Sequence, residues 1–144
     1  MIPRPVLAAW RKKVPWRDDR QVAQDLLLSL LAIRVAKDPL TSEHLIWRGG
    51  TCLHKLHLDR PRRYSEDLDY VLLGEVEHSR IKDALTGIVA ELEMECAKAE
   101  VSPSRVNVWA SAEVGTPLGS THQGQVRGEL QRCLPHSRSG SDIP

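Results

Sequence analysis

Between Asp18 and Lys37 the apolar residues Val22, Leu26, Leu27, Leu30, Leu31 and Ile33 recur every three to four positions, which predicts one long amphipathic helix. Asp18 or Asp19 can cap its start, and Asp38-Pro39 ends it, because the residue before a proline avoids the helical region. Residues 3–13 predict a shorter helix, with Pro5 tolerated in the first turn. "HLIW", 44–47, reads as a brief strand, and Thr51–Leu58 as one or two helical turns. "DLDYVLLG", 67–74, is rich in β-formers and stopped by Gly74, so it predicts a central strand. A second long helix is expected from about Val76 to Ala99, with Ile81, Leu85, Ile88, Val89 and Leu92 along one stripe. Gly87 weakens that helix by up to ~1 kcal/mol relative to alanine. "SRVNVWASAEV", 104–114, alternates and predicts another strand. Helices interleaved with strands point to an α/β or α+β fold, a mixed sheet flanked by helices.

The pattern fades after Gly115, where Gly, Ser and Pro become frequent. Only "QVRGEL", 125–130, has the composition of a strand, and the closing "PHSRSGSDIP" carries little apolar surface. The expected organisation is therefore a domain over 1–114 and a poorly specified segment over 115–144, with one strand and then disorder. No internal repeat is visible.

Composition narrows the function classes only modestly. The 144 residues carry a formal net charge of +1, so any electrostatic steering must come from local patches. Four Trp, two Tyr and no Phe mean that Leu, Val, Ile and Ala must build the core. The tryptophans Trp10, Trp16, Trp47 and Trp109 then read first as core fillers, although bases also stack on such rings. The three cysteines, Cys52, Cys96 and Cys133, show no paired spacing, which fits free thiols in a reducing cytoplasm. "MIPRPVLAAWRKKVPW" lacks the continuous apolar core of a signal peptide, and Leu26–Val35 is too short for a membrane span. The expectation is a cytoplasmic protein without membrane contact.

The chemistry-bearing residues concentrate in "WRGGTCLHKLHLDRPRRYSEDLDY", 47–70. On a strand, Asp67 and Asp69 point to one face, roughly 6.5–7 Å apart along the chain. Two such carboxylates suit Mg²⁺, which takes one or two protein carboxylates alongside substrate phosphates and water. The Gly49-Gly50 pair allows a phosphate to approach the backbone at the start of the next helix, and Thr51 adds a hydroxyl. Arg60, Arg62 and Arg63 form a basic cluster before the aspartates, and Arg suits bidentate phosphate contacts. Lys55 follows the glycine turn by one helical turn, within reach of a triphosphate or as a surface lysine. Each piece alone is weak; a D-x-D or a Gly-Gly turn is usually only a strand edge or a turn. His54 and His57 are spaced for zinc but lack further ligands at a useful distance. "WRKKVPWR", 10–17, sets four basic residues between two tryptophans, equally a nucleic-acid-facing segment or a solvated helix edge. No nucleophilic Ser/His/Asp or Cys/His arrangement is present.

Taken together, "GGT" at 49–51 and "RYSEDLD" at 63–69 resemble the AbiEii/MenT family of nucleotidyltransferase toxins, in the DNA-polymerase-β-like superfamily. "VAQDLLLSLLAI", 22–33, resembles the family's helix with an acid near its start, here Asp25. The resemblance covers roughly residues 20–75, more loosely to 112. It implies transfer of a nucleoside monophosphate from an NTP to an acceptor, with Mg²⁺ or Mn²⁺ as the metal. In relatives the acceptor is the tRNA 3′ end, which blocks translation. It implies Asp67 and Asp69 as metal ligands, Gly49, Gly50 and Thr51 as the phosphate-binding turn, and Arg63 and Ser65 lining the nucleotide site. It also implies a cognate antitoxin as partner, in some relatives a kinase that phosphorylates a hydroxyl at the position of Ser65. A phosphate there would set ~−1.5 to −2 charges beside the two carboxylates. The family carries a lysine and a third acid on a later strand; "VRGEL", 126–130, offers Arg127 and Glu129, and Glu113 is the other candidate acid. An inert or partner-dependent member that acts by binding an antitoxin is the alternative function, and transfer onto protein a further one.

Overall fold

The computed structural model describes residues 2–60, 64, 66–115 and 121–132; over 113–115 and 121–132 it describes the backbone only. Helix α1 spans Arg4–Arg11 and buries Leu7, with its proline in the first turn as expected. Helix α2, Asp19–Lys37, starts where Asp18 accepts the Arg20 N–H at 2.8 Å. Leu27 and Leu28 are both fully buried, so the middle of α2 is covered on more than one side. Asp38 closes α2 and opens the next helix. Its N–H bonds the Arg34 carbonyl, and its carboxylate accepts the Thr41 N–H at 2.9 Å.

That next helix, α3 over Pro39–His44, was not anticipated. It is short, and it is held by its Asp38 cap and by the buried Thr41 hydroxyl, which donates to the Val35 carbonyl at 2.7 Å. Strand β1 therefore runs Leu45–Arg48, one residue later than the apolar run predicts. Helix α4 covers Gly49–Leu56, and strand β2 covers Asp67–Leu72.

Helix α5, His78–Glu91, is much shorter than the expected 76–99. Glu93, at φ 56°, turns the chain, and Glu95–Ser102 becomes strand β3. The Glu, Ala, Lys and Met of this stretch favour helix locally, yet pairing with the following strand decides the outcome. Strand β4, Arg105–Gly115, pairs antiparallel with β3 from Glu95↔Ser111 to Ser102↔Arg105 around a turn at Pro103-Ser104. As an edge strand with every residue exposed, β3 carries Lys98 and Glu100, charges that discourage edge-to-edge association. Strand β5, Thr121–Arg132, contains the expected 125–130 segment and extends it at both ends.

The sheet order is β1-β2-β5-β4-β3, with β2 and β5 parallel and the remaining pairs antiparallel. Strand β2 is thus interior, as its composition suggests. Helix α2 packs on β5 and β2, and α5 on β3 and β4. Between helices and sheet lies one core containing Val22, Leu27, Leu28, Leu68, Tyr70, Leu72, Ile81, Val106 and Val108. Trp10, Trp16 and Trp47 pack against its margin, as the core reading predicts for them, whereas Trp109 is half-buried on β4 with the Lys98 ammonium 5.1 Å from its ring centroid. Among the described residues no helix is long and apolar enough to cross a membrane.

Candidate active site

Burial alternates along β2: Leu68, Tyr70 and Leu72 are sunk into the core, and Asp67, Asp69 and Val71 are half-buried on the other face. The antiparallel β1–β2 ladder puts Arg48 opposite Asp69, so the chain leaving β1 turns directly beside that carboxylate. The turn is Gly49, at φ 85°, a left-handed conformation open to glycine at little cost. A Cβ there would stand 2.6 Å from Asp69 Oδ2 and 3.2 Å from Asp69 Cβ. Gly49 is therefore required twice, by its backbone angle and by the carboxylate lying against it. Gly50 has open space where a Cβ would project.

Thr51 completes the first turn of α4. Its side chain is buried and its hydroxyl donates to the Asp67 carbonyl at 2.6 Å, so it fastens α4 to the start of β2. The hydroxyl expected to face a phosphate has its proton engaged there. The amides of this first turn have no intrahelical carbonyl to reach, and they carry the positive end of the helix. On the core side Trp47 stacks on Tyr70, its register partner, with ring centroids 6.4 Å apart. Burial, then the neighbouring Cys52, pushes the Tyr70 phenol pKa well up, and burial raises that of the Cys52 thiol.

Lys55 lies one turn further along α4. Its ammonium donates to Asp25 Oδ1 at 3.0 Å and to the Ser29 hydroxyl at 2.7 Å, and stands 5.8 Å from the Trp10 ring centroid. The Trp10 indole N–H donates to Asp25 Oδ2 at 2.8 Å, so both oxygens of Asp25 are engaged. Lys55 and Asp25 are 20% and 13% exposed, which makes this a largely desolvated clamp between α2 and α4. A second tie involves residues that sequence reasoning missed. Gln24 donates to the Glu66 carbonyl at 3.3 Å and accepts from the Tyr64 hydroxyl, and Tyr64 meets Trp16 edge-on at 5.3 Å. Burial, then Glu66, Asp25 and Asp18, pushes the Tyr64 pKa up to about 12. No local pattern announces these contacts, because the partners lie some forty residues apart in the chain.

Of the other candidates, Arg62, Arg63 and Ser65 lie outside the described residues, and Arg60 is exposed. His54 is half-buried and His57 exposed; among the described residues no group of three or more His, Cys, Asp or Glu is arranged to hold a metal. The parallel β2–β5 ladder puts Glu129 level with Asp69 and Arg127 level with Asp67. Glu113 pairs with Gln123, whereas the β4 residue level with Glu129 is Asn107. Six residues of strand separate the two levels, about 20 Å at ~3.3 Å per residue.

A glycine bend at a helix start, pressed against a D-x-D strand of a mixed sheet flanked by helices, defines a nucleotidyltransferase-like domain. Residues 31–127 match the family described as nucleotidyl transferase AbiEii toxin, type IV TA system, and the chain belongs to that family. That span runs past residue 112, where the motif resemblance stopped, and takes in most of β5. Among curated proteins none matches. Solved structures that resemble the fold include MenT4, a nucleotidyltransferase toxin from Mycobacterium tuberculosis H37Rv. It is 14% identical with a TM-score of 0.49, over 92% of this chain and 44% of that one. Another is Cid1 poly(U) polymerase with MgGTP bound, 12% identical with a TM-score of 0.49, over 88% of this chain and 36% of that one. The chain thus spans less than half the length of either.

Proposed function

We propose that this domain transfers a nucleoside monophosphate from an NTP to an RNA acceptor, the tRNA 3′ end, and so acts as a toxin that blocks translation. The observation that carries this reading is the contact between Gly49 and Asp69: the side-chain-free bend lies directly against one carboxylate of the D-x-D pair. Asp67 and Asp69, half-buried on one face, are a donor set that suits Mg²⁺ or Mn²⁺. When bound, such a metal neutralises the charge of the triphosphate and of the departing pyrophosphate.

The protein's own contribution is binding and orientation. Gly50 leaves room for phosphate oxygens at the positive end of α4, Gly49 lets the Asp69 carboxylate lie against the bend, and Thr51 fixes that end to β2. Arg63 adds bidentate phosphate contacts, and Ser65 is the site at which an antitoxin kinase would act. The acceptor 3′-hydroxyl oxygen attacks the α-phosphorus in line, and the bond from that phosphorus to the bridging oxygen breaks. Pyrophosphate leaves, and the hydroxyl proton passes to a carboxylate or to solvent. Positioning supplies most of the acceleration, as in related phosphoryl chemistry. The ladder register supports Glu129 as the third carboxylate over Glu113.

The test is incubation with each of four labelled NTPs, Mg²⁺ and total tRNA. Label on RNA that disappears in Asp69→Ala is the expected result. Label on a polypeptide would move the acceptor to protein. No transfer with any NTP, from a chain that still binds its antitoxin, would overturn the enzymatic reading in favour of an inert binder.

A further inference from the structure

We propose that the cavity between α1, α2 and α4 is a subsite for a single nucleobase. It encloses about 230 Å³ and is lined in part by Trp10, Lys13, Trp16, Asp25, His54 and Lys55. That is less than the ~300–1,000 Å³ of sites for drug-sized ligands, so one ring system fits and a whole nucleoside triphosphate does not. The two indoles offer the apolar π-surface on which any base stacks. The Trp16 indole N–H is buried and has no acceptor among the described residues. Lys55 is already paired with Asp25, so among the described lining residues the exposed Lys13 is the ammonium that can meet an adjoining phosphate, and the exposed Asp59 keeps that phosphate to the Lys13 side.

The position argues in the same direction. Thr51 also lines the cavity, and its hydroxyl holds the Asp67 carbonyl, so the cavity adjoins the strand that carries the two carboxylates. The arrangement accounts for "WRKKVPWR" as well, because Trp10, Lys13 and Trp16 of that stretch all face one space. The choice of a base as ligand rests on the nucleotidyltransferase reading; the geometry of the cavity does not. The base belongs either to a free nucleotide or to the 3′-terminal residue of an RNA.

The experiment follows the indole N–H resonances of the full ¹⁵N-labelled chain during titration, without divalent metal, with AMP or CMP and with a short single-stranded RNA ending in CCA. The Trp10 and Trp16 signals are expected to shift, and those of Trp47 and Trp109 to stay. A response to the mononucleotides assigns the subsite to a free nucleotide, and a response to RNA alone assigns it to the acceptor end. Trp16→Leu should weaken binding about tenfold or more, in line with the loss of one stacked base. Lys13→Glu, an exposed change that leaves the core untouched, should weaken it too. Asp69→Ala should leave these shifts intact, so loss of chemistry and loss of the subsite are separable. Absence of any Trp10 or Trp16 shift with both ligands, or equal affinity in Lys13→Glu and Trp16→Leu, would overturn the proposal.

Discussion

Replacing Gly49 by alanine tests the central contact of the site, and Gly50→Ala is its internal control. At Gly49 an alanine must hold a positive φ of 85°. For a residue with a Cβ, such a conformation costs about 1–3 kcal/mol. The methyl would also stand 2.6 Å from Asp69 Oδ2 and 3.2 Å from Asp69 Cβ, so rotating the carboxylate does not clear it. Either α4 or β2 must shift. The smaller conformational freedom of the unfolded alanine chain offsets about 0.4–1 kcal/mol of this. The expected net loss is about 1–3 kcal/mol, read as a fall in Tm of roughly 3–10 °C for a chain of this size. Gly50 has neither a positive φ nor a neighbour within 4 Å of its would-be Cβ. Gly50→Ala should therefore leave Tm unchanged or raise it, since alanine is the better helix former. Its methyl nonetheless enters the space proposed for a phosphate, so on that reading NTP binding should weaken while the fold strengthens. Thermal melts and an NTP titration on both variants check this. Equal Tm shifts for the two, or a Gly49→Ala protein as stable as the parent, would refute the reasoning.

Three further expectations follow from particular contacts. Lys55→Met strands the Asp25 carboxylate with one fewer donor and should cost about 1–3 kcal/mol in denaturant unfolding. Combined with Asp25→Asn the losses should be non-additive by about 0.5–3 kcal/mol, and simple additivity would show that the clamp does not form. The pKa of Tyr64 is raised from its ordinary 10.0 to about 12, and that of Tyr70 is raised as well. Folded protein keeps phenolic protons that the unfolded chain loses, so this stabilisation is complete below pH 10 and fades as pH rises through about 12. Native protein should then show little tyrosinate absorbance near pH 10, and a normal tyrosine titration would contradict the burial. Glu129→Gln should weaken Mn²⁺ binding at least as much as the ~10–100-fold lost with outer-shell partners, and Glu113→Gln should leave it unaltered. The reverse order in a calorimetric titration would exchange the two assignments.

Much of this fold was legible because its signals are local. The apolar repeat of α2, its Asp18 cap and its stop at Asp38-Pro39 lie within one stretch of chain, and the structure follows them. The parts that were not legible depend on distant partners. Residues 95–99 look helical alone and become strand only because β4 pairs with them. The short α3 is a different case: Asp38 and Val35, three and six residues away, take up the hydrogens of Thr41, and six residues are too few to show a helical period. Lys55 follows the glycine turn at a spacing that suits a phosphate, yet Asp25 and Ser29, near thirty residues earlier, hold its ammonium. The Gln24–Tyr64 tie is hidden for the same reason.

The carboxylate pair was legible for a deeper reason: one constraint fixes both packing and chemistry. Leu68, Tyr70 and Leu72 are 3%, 6% and 4% exposed, and burying each leucine side chain stabilises by about 1.5–3 kcal/mol. A slip of β2 by one residue would lift these three out of the core and drive Asp67 and Asp69 into it. Two carboxylates in an apolar core would cost far more than the lost packing, so the register has no near competitor. The hydrophobic alternation thus aims the carboxylates, and the β1 pairing of Arg48 with Asp69 then brings Gly49 against them. The level of Glu129 obeys a different constraint. It is set by a parallel ladder that closes across some sixty residues, and nothing in "VRGEL" encodes which strand it will lie beside.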